Sequence, residues 1–425
     1  MEVETEKPRK VFWGWYVVAG AFITVAINYG ARYCFGVFLK PMCEELGWSR
    51  SVVSFAASLV FLVYGTGGIL SGHLLDRFAP RWLITAGATI AASGFILTAF
   101  VSTPLQLYLV YGVLYALGAS FFGTAVCMSS VLKWFVRKRG IAIGITTVGI
   151  GAGTMVLTPL TGVLVKFFDW KTGFIVLGIA TFVLCSAVAY FAMGKTRPEE
   201  YGLSPDGATM LPGSLDGTPG APTLSYQETA RLLLGDSRFW IIAFCFGIAV
   251  TTQTTVFVHQ VAYAEEFGIH RVAAASSLGI IGIGSIAGRF FFGWLSDHIH
   301  DAKHSTCLGM ACMAVSIVIL LFSHSLEFFY LYASLFGFGY GSLSPMLAIL
   351  MVDRFGRHIS GTSYGLIAFF VVGLGGSIGP IFGGLIYDIT GSYTRAWQIC
   401  LAGLMIVTVL IEFLKPARNA SAVRT

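Results

Sequence analysis

The sequence predicts an all-α integral membrane protein of twelve transmembrane helices arranged as two six-helix repeats. Of its 425 residues, 56% are hydrophobic and 11% are charged, whereas soluble domains carry about 25% charged residues. Apolar segments of about 20 residues recur, the length at which a helix crosses a bilayer. An internal repeat, described below, supplies the third observation.

Twelve segments are long and apolar enough to span a membrane, and spanning β-strands would instead alternate over about 10 residues. We predict the spans at 13–38, 51–74, 81–101, 104–132, 139–165, 170–193, 238–263, 272–296, 305–323, 326–351, 359–386 and 393–414. The charged first ten residues lead straight into a full-length span, so we expect no cleaved signal peptide.

Charge placement predicts the topology. Of the 27 Lys and Arg residues, 19 fall on the side of the termini, six on the opposite side and two within spans. The positive-inside rule therefore predicts a multi-pass protein of the cell membrane with both termini in the cytoplasm. The net charge of +6 follows from topology, so we expect no nucleic-acid partner. The eight cysteines are scattered without a CxxC pair, and we expect no disulfide framework, metal or cofactor.

The two halves share one register. A shift of 221 positions superimposes acidic, basic, glycine and proline landmarks without gaps, for example Glu44 on Glu265, Asp76 on Asp297 and Pro159 on Pro380. We predict an N-terminal half over 1–194, a cytoplasmic linker over 195–236 and a C-terminal half over 237–425. Parallel repeats of this kind are typical of transporters that bind their cargo between the halves.

The linker is the one long polar stretch. Its Pro-, Gly- and Ser-rich part favours a mobile tether over a regulatory domain, and Ser225 to Glu228 form a capping-box pattern that opens a short helix to about Leu234.

Arg289 is the residue that most constrains function. It lies eight positions before Asp297, roughly 12 Å up the predicted helix. A central arginine raises the free energy of insertion by about 2.5–3.5 kcal/mol, and it cannot lose its proton. No acidic residue is predicted at that depth, so we interpret the missing partner as a carboxylate cargo. The alternative is a structural arginine that hydrogen-bonds to backbone carbonyls or snorkels to the interface.

Polar residues on the first span are candidates for lining or gating the site. Asn28 and Arg32 are four apart and therefore share a helix face. Arg32 is either a gate or second cation, or an interfacial anchor. Tyr340, in a run of small residues, is a candidate to hydrogen-bond the cargo or a buried tyrosine satisfied by the backbone.

The loop after the second span, GHLLDRFAPR from Gly72, is echoed by GWLSDH from Gly293. This pair resembles the GxLxDrxGrr signature of the major facilitator superfamily. The resemblance implies a conformational latch formed by Gly72, Asp76, Arg77, Gly293 and Asp297.

Two further stretches narrow the resemblance. Trp13-Gly14-Trp15 opens the first span, and KWFVRKRGIAIG from Lys133 leads into the fifth. They are similar to the two signatures of the monocarboxylate transporter family, and RPEEYGL from Arg197 looks like prokaryotic relatives that include oxalate:formate antiporters. The resemblance implies that Arg289 is the substrate-binding arginine of span eight.

Two departures qualify what the resemblance implies. Proton-coupled animal members have an aspartate where this chain has Ser285, and oxalate carriers have a lysine in span eleven, which here has neither Lys nor Arg. One guanidinium suits one carboxylate. We therefore predict a secondary transporter of a short monocarboxylate, lactate- or pyruvate-like, that works by alternating access as a monomer, with a proton entering by Glu265, Glu266 or His259.

Two alternatives remain open at this stage. An organic-anion antiporter of the oxalate/formate type would need internal anion to exchange. A membrane sensor or an intramembrane enzyme would need an output domain or a catalytic pair within the spans, and the sequence shows neither.

Overall fold

The protein is described by a computed structural model that covers residues 12–135, 138–194, 198, 226–299, 301–355 and 366–415. Within these residues twelve helical segments are long and apolar enough to cross a membrane, as predicted. We number them spans 1–12. Spans 1–6 are Gly14–Tyr33 with Phe35–Leu46 (span 1), Arg50–Arg77 (span 2), Pro80–Thr98 (span 3), Pro104–Leu107 with Tyr108–Tyr115, Ala116–Phe121 and Thr124–Leu132 (span 4), Arg139–Phe167 (span 5) and Trp170–Phe191 (span 6). Spans 7–12 are Ser237–Glu266 (span 7), Arg271–His298 (span 8), Ala302–Leu321 (span 9), Leu326–Tyr340 with Leu343–Phe355 (span 10), Leu366–Thr390 (span 11) and Thr394–Leu410 with Ile411–Phe413 (span 12).

Spans 4 and 11 each contain a π-helical stretch, Tyr108–Tyr115 and Phe369–Gly375. A short helix, Tyr226–Leu234, precedes span 7 and ends where the linker sequence predicts. The rest of the predicted linker, apart from Pro198 and residues 235–236, lies outside the described residues.

The repeat is visible in the backbone. Span 2, Arg50–Arg77, and span 8, Arg271–His298, begin and end at positions displaced by the same 221 residues. The turns before them contain Gly47 and Gly268, with φ of 67° and 76°. Glycine adopts this left-handed conformation without a Cβ clash. The two six-helix halves are therefore built on one plan.

Span 1 is longer than predicted. The predicted end at residue 38 avoided Lys40, but the helix continues to Leu46. Lys40 Nζ lies 2.9 Å from Glu265 Oε2 of span 7. A charged residue such as Lys40 lowers the mean hydropathy of a predicted span. The ion pair at the end of the helix stabilises that charge, so the helix can continue past it.

Spans 1, 4 and 7 are more buried than spans 6 and 12, which present most of their surface outward. In the N-terminal half, span 1 packs on span 5 and span 3 on span 6; in the C-terminal half, span 8 packs on span 10 and span 9 on span 12. The halves meet chiefly where span 5 packs on span 8 and span 2 packs on span 11. We call these the 5/8 interface and the 2/11 interface.

We call the side at which span 1 begins the near side, and the side at which it ends the far side. An even number of spans returns the chain to the near side at Phe413. Spans 2 and 8 begin on the far side, and spans 5 and 11 end there.

Candidate functional site

Arg289 lies on span 8 at the 5/8 interface and is only 9% exposed. Its Nη1 donates a hydrogen bond to the backbone carbonyl of Thr147 on span 5, at 2.8 Å. The buried Nε has no partner among the described residues, and no described carboxylate lies within ion-pair distance of the guanidinium. The group is therefore inside the protein, bridges the two halves and retains unused donors.

Small residues bring span 10 against the backbone of span 8 at this point. A Cβ on Gly341 would lie 2.9 Å from the amide nitrogen of Arg289, a distance that real Cβ contacts do not show. The glycines around Tyr340 thus set the position of that tyrosine relative to Arg289. The Arg289 Cζ lies 6.0 Å from the centroid of the Tyr340 ring, near the outer limit of a cation–π contact.

The phenylalanines that follow Arg289 in sequence do not surround its guanidinium. Phe290 is 64% exposed on the outer surface of span 8, and Phe292 is fully buried against Phe338, with ring centroids 5.1 Å apart. The aromatic ring placed against the Arg289 guanidinium is that of Tyr340, on span 10.

Tyr340 belongs to an aromatic layer that we define by Tyr33, Phe257 and Tyr340. The Phe257 ring centroid lies 4.1 Å from that of Tyr33 in the N-terminal half and 5.6 Å from that of Tyr340. Gln253, the repeat counterpart of Arg32, donates to the Tyr33 hydroxyl at 3.0 Å. The layer therefore joins spans 1, 7 and 10 across the centre of the molecule.

Arg32 is buried in the N-terminal half, 3% exposed, and does not snorkel to the interface. Its Nη2 donates to Asn28 Oδ1 at 2.8 Å, and Asn28 Nδ2 donates to the carbonyl of Ala119 at 2.8 Å. The Arg32 Cζ lies 3.7 Å from the Tyr64 ring centroid and 4.8 Å from that of Tyr29. Asn28 thus orients Arg32 and uses both ends of its amide on protein groups.

On the far side, charged contacts close the 2/11 interface. Arg50 Nη1 lies 3.1 Å from Glu266 Oε1, and the Arg50 Cζ lies 3.5 Å from the Tyr387 ring centroid. The carboxylate of Asp388, near the end of span 11, accepts the backbone N–H groups of Arg50 at 3.1 Å and Ser51 at 2.9 Å. An acidic side chain at a helix N-terminus is favourable because it satisfies free amides and opposes the positive end of the dipole.

The neighbouring glutamate faces the other interface. Glu265 Oε1 accepts from Arg271 Nε at 2.6 Å, and Glu265 Oε2 lies 2.9 Å from Lys40 Nζ. Lys40 belongs to the N-terminal half, so this ion pair also joins the halves. Consecutive residues of span 7 therefore hold both interfaces together on the far side.

His259 is fully buried on span 7, about two turns before these glutamates. Its Nε2 lies 2.7 Å from the Pro380 carbonyl and its Nδ1 lies 3.1 Å from the Tyr393 hydroxyl. A carbonyl can only accept, so Nε2 donates, and in the neutral ring Nδ1 accepts from Tyr393. Burial raises the pKa of Tyr393, which keeps its hydroxyl protonated as a donor.

The latch predicted from the loop signature is described only in part. Gly293 is a half-buried helical residue with open space where a Cβ would lie. The side chains of Asp76, Arg77 and Asp297, and the surroundings of Gly72, lie outside the described residues.

Several residues of the site were not predicted from the sequence. The acceptor of Arg289 is a backbone carbonyl, which leaves no mark in the residue type at position 147. Tyr33 and Phe257 are one and four positions from the polar residues Arg32 and Gln253, so the helical spacing of that polar face was the available signal. Asp388 lies close to the end of span 11, and no sequence pattern indicates that it accepts amides of span 2.

Comparison with known proteins identifies a family for this architecture. The family model of the Major Facilitator Superfamily matches residues 21–380. Monocarboxylate transporter 12 of Rattus norvegicus is 26% identical, with 98% of this chain and 88% of that protein covered. Monocarboxylate transporter 13 of Rattus norvegicus is 26% identical over 97% of this chain and 92% of that protein.

The fold has a counterpart among solved structures. A bacterial homolog of the human lysosomal transporter Spinster, in an inward-facing and occupied conformation, superimposes with a TM-score of 0.73 at 13% sequence identity. The superposition covers 96% of this chain and 97% of that one. Twelve spans, two repeated halves and the family match over most of the sequence lead to one conclusion: this multi-pass membrane protein is a transporter that belongs to the Major Facilitator Superfamily.

Proposed function

We propose that the protein moves a short monocarboxylate, lactate- or pyruvate-like, across the membrane by alternating access, with Arg289 as the group that binds the carboxylate. The observation that carries the proposal is a buried guanidinium between the two halves that uses one donor on a backbone carbonyl and meets no described carboxylate. A permanent charge in a membrane interior is favourable only with a partner, and a carboxylate matches the planar fork.

The Thr147 hydrogen bond agrees with one part of the structural alternative for Arg289, in which backbone carbonyls satisfy the guanidinium. One neutral hydrogen bond engages one of five N–H groups, however. The remaining donors are the basis for a substrate role, and the relatives named monocarboxylate transporters support the substrate class.

A single carboxylate suits this site better than two. Among the described residues, Arg32 is the second buried cation of the central region, but Asn28 and the Tyr64 ring already engage it. Positions 359–386 contain no Lys or Arg. Tyr340 supplies a hydroxyl and an aromatic ring close to Arg289, which suits a small acid with an apolar or hydroxylated tail.

The far-side contacts support a mechanism in which the halves rock about this centre. Among the described residues, the two ion pairs that join the halves, Lys40–Glu265 and Arg50–Glu266, both lie on the far side. We assign the far side to the exterior of the cell membrane and both termini to the cytoplasm, because most Lys and Arg residues lie on the near side. The proposal also includes the division into an N-terminal half (1–194), a linker (195–236) and a C-terminal half (237–425). It further includes the conformational latch and function as a monomer.

Among the three residues proposed for proton entry, Glu266 fits the geometry best. Protonating Glu265 would leave Arg271 without its carboxylate and Lys40 with only the longer contact to Glu44, at 3.9 Å. Protonating Glu266 releases Arg50 alone and removes an ion pair between the halves. A proton that arrives with the substrate at Glu266 would therefore favour opening of the far side, whereas His259 is held between Pro380 and Tyr393.

The test is uptake of labelled C2–C4 mono- and dicarboxylates into proteoliposomes by the wild type, Arg289→Ala and Arg289→Lys. We expect uptake of a monocarboxylate such as lactate, its loss in Arg289→Ala, and partial retention in Arg289→Lys, which keeps the charge but not the fork. Arg32→Lys is the matched control. Equal uptake by the wild type and Arg289→Ala would overturn the proposal.

Counterflow distinguishes symport from exchange. The lack of a described carboxylate beside Arg289 also suits an antiporter of the oxalate/formate type, which would require anion inside the vesicle. A symporter accumulates lactate in vesicles without internal anion when the pH outside is lower, and this is the outcome we expect.

A further inference from the structure

An open surface cavity lies at the far-side end of the 5/8 interface. It measures about 380 Å³ and is lined by Lys40, Val165, Lys166, Glu265, Gly268, Ile269, His270 and Arg271. We call it the far-side cavity. Its size falls within the range of small-molecule sites, about 300–1,000 Å³.

The lining is rich in cations. Lys40, Lys166 and Arg271 face one carboxylate, Glu265, which already pairs with two of them. Lys166 is exposed and has no carboxylate within ion-pair distance among the described residues; its Nζ lies 5.5 Å from the Phe167 ring centroid. The cavity therefore has a surplus of positive charge at its rim.

His270 adds a neutral donor. It caps span 8, and its Nδ1 accepts the backbone N–H of Val272 at 3.3 Å. The other ring nitrogen then carries the hydrogen. The lining thus contains cationic and neutral donors, and its carboxylate is engaged.

The repeat explains why three cations share the single carboxylate of Glu265 in this cavity. Arg271 and Lys166 stand 221 positions from Arg50 and Tyr387, and the counterpart of Asp388 is Phe167. At the 2/11 interface the Asp388 carboxylate caps the helix that begins at Arg50. At the 5/8 interface the corresponding side chain is a phenyl ring that is 69% exposed. The same design therefore lacks one negative charge at the far-side cavity.

We propose that the far-side cavity is an anion-binding site that captures a small carboxylate before it reaches Arg289. The carboxylate binds Lys166 and competes with Glu265 for Lys40 and Arg271, which are already arranged around a carboxylate group. Competition for Lys40 weakens an ion pair between the halves, so capture favours opening of the far side. The site rests on the proposed function for the identity of its ligand.

The first test measures binding without transport. Wild-type protein in sealed proteoliposomes or cells is treated with a membrane-impermeant amine-acetylating reagent, and acetylation of Lys166 and Lys171 is followed by peptide mass spectrometry. Lys171 is the internal control because it lies on the same side and pairs with Glu45 at 2.6 Å, outside the cavity. We expect millimolar lactate or acetate to slow acetylation of Lys166 about threefold, as for an exposed ion pair, without slowing that of Lys171.

Chloride, phosphate and neutral lactamide at matched ionic strength identify the ligand. Protection by lactate or acetate alone supports a carboxylate site. Equal protection of both lysines, protection by any anion alike, or no protection would overturn it.

The second test measures function from each side. Lys166→Gln is expected to raise the half-saturation concentration for uptake from the far side about threefold and leave near-side efflux unchanged, whereas Lys171→Gln changes neither. Normal transport with an unprotected Lys166 would refute the capture site alone. A protected Lys166 in a protein that moves no carboxylate would refute the proposed function alone.

Discussion

The 5/8 and 2/11 interfaces occupy related positions in the two repeats, yet they are closed by different chemistry. The 2/11 interface ends on the far side in a carboxylate cap, with Asp388 on the amides of Arg50 and Ser51. The 5/8 interface has Arg289 on a carbonyl of span 5 and a cation-rich cavity at its far end. We therefore propose that the 2/11 interface serves as a clamp, formed by the Asp388 contacts, and that the 5/8 interface binds the anion.

The largest expected effect concerns the two glutamates that face these interfaces. If Glu266 couples the proton, Glu266→Gln abolishes the stimulation of lactate uptake by an inward proton gradient, which is about tenfold in accumulation for one pH unit and one proton. The glutamine cannot ionise, so Arg50 is released at every pH. Uptake into proteoliposomes at equal and unequal pH measures this.

Glu265→Gln is the matched control, since it removes the same charge at the other interface. It should retain the response to the pH gradient. If Glu265→Gln lost the response and Glu266→Gln kept it, the proposal would be wrong and the proton would be assigned to Glu265.

The second prediction breaks the clamp. Asp388→Ala leaves two amides at the start of span 2 without their acceptor, and loss of a side-chain acceptor at a helix N-terminus destabilises by about 1 kcal/mol, or about fivefold in a conformational equilibrium. We expect the far side to open about fivefold more often. The rate at which an impermeant thiol reagent labels Val60→Cys, which lines a cavity of about 10 Å³ beside Arg32, reports this opening.

Asp169→Ala supplies the control for the clamp. Asp169 caps span 6 through the Thr172 amide at 2.6 Å, within the N-terminal half. The backbone hydrogen bond from Thr172 lowers the pKa of Asp169, so it is ionised at neutral pH. Its loss should not change labelling of Val60→Cys. Equal acceleration by both variants would mean that helix capping in general, not the clamp, controls access.

The third prediction restores the missing charge. Phe167→Asp places a carboxylate at the counterpart of Asp388, where its negative charge would partly neutralise Lys166 and Arg271. We expect the half-saturation concentration for far-side uptake to rise about threefold. Phe168→Asp, an adjacent residue of the same 68–69% exposure, should change it less. An unchanged or lower value in Phe167→Asp would separate the cavity from substrate capture.

The smallest expected effect is that of salt. Raising the ionic strength toward 1 M shortens the screening length to about 3 Å and weakens exposed charges more than buried ones. Far-side half-saturation should therefore rise about twofold, while near-side efflux, which depends on buried Arg289, changes little. Kinetics at several salt concentrations, with the substrate on one side at a time, measure both.

The fold was predictable from the sequence because hydropathy, charge placement and the 221-residue register are properties of residue types. The position of Arg289 followed from the same patterns. Its acceptor did not, because every residue carries a backbone carbonyl. Arg32 illustrates a second limit: its sequence position allowed an interfacial anchor, and the contacts with Asn28 and Tyr64 show that it turns inward.

The end of span 7 has a mechanical consequence. Glu265 and Glu266 are adjacent, about 100° apart around the helix, and each holds a cation of the opposite half at a different interface. Any tilt or rotation of that helix end therefore moves both ion pairs together. This coupling would make the far-side ends of the two interfaces open at the same time and would prevent a leak through one of them alone.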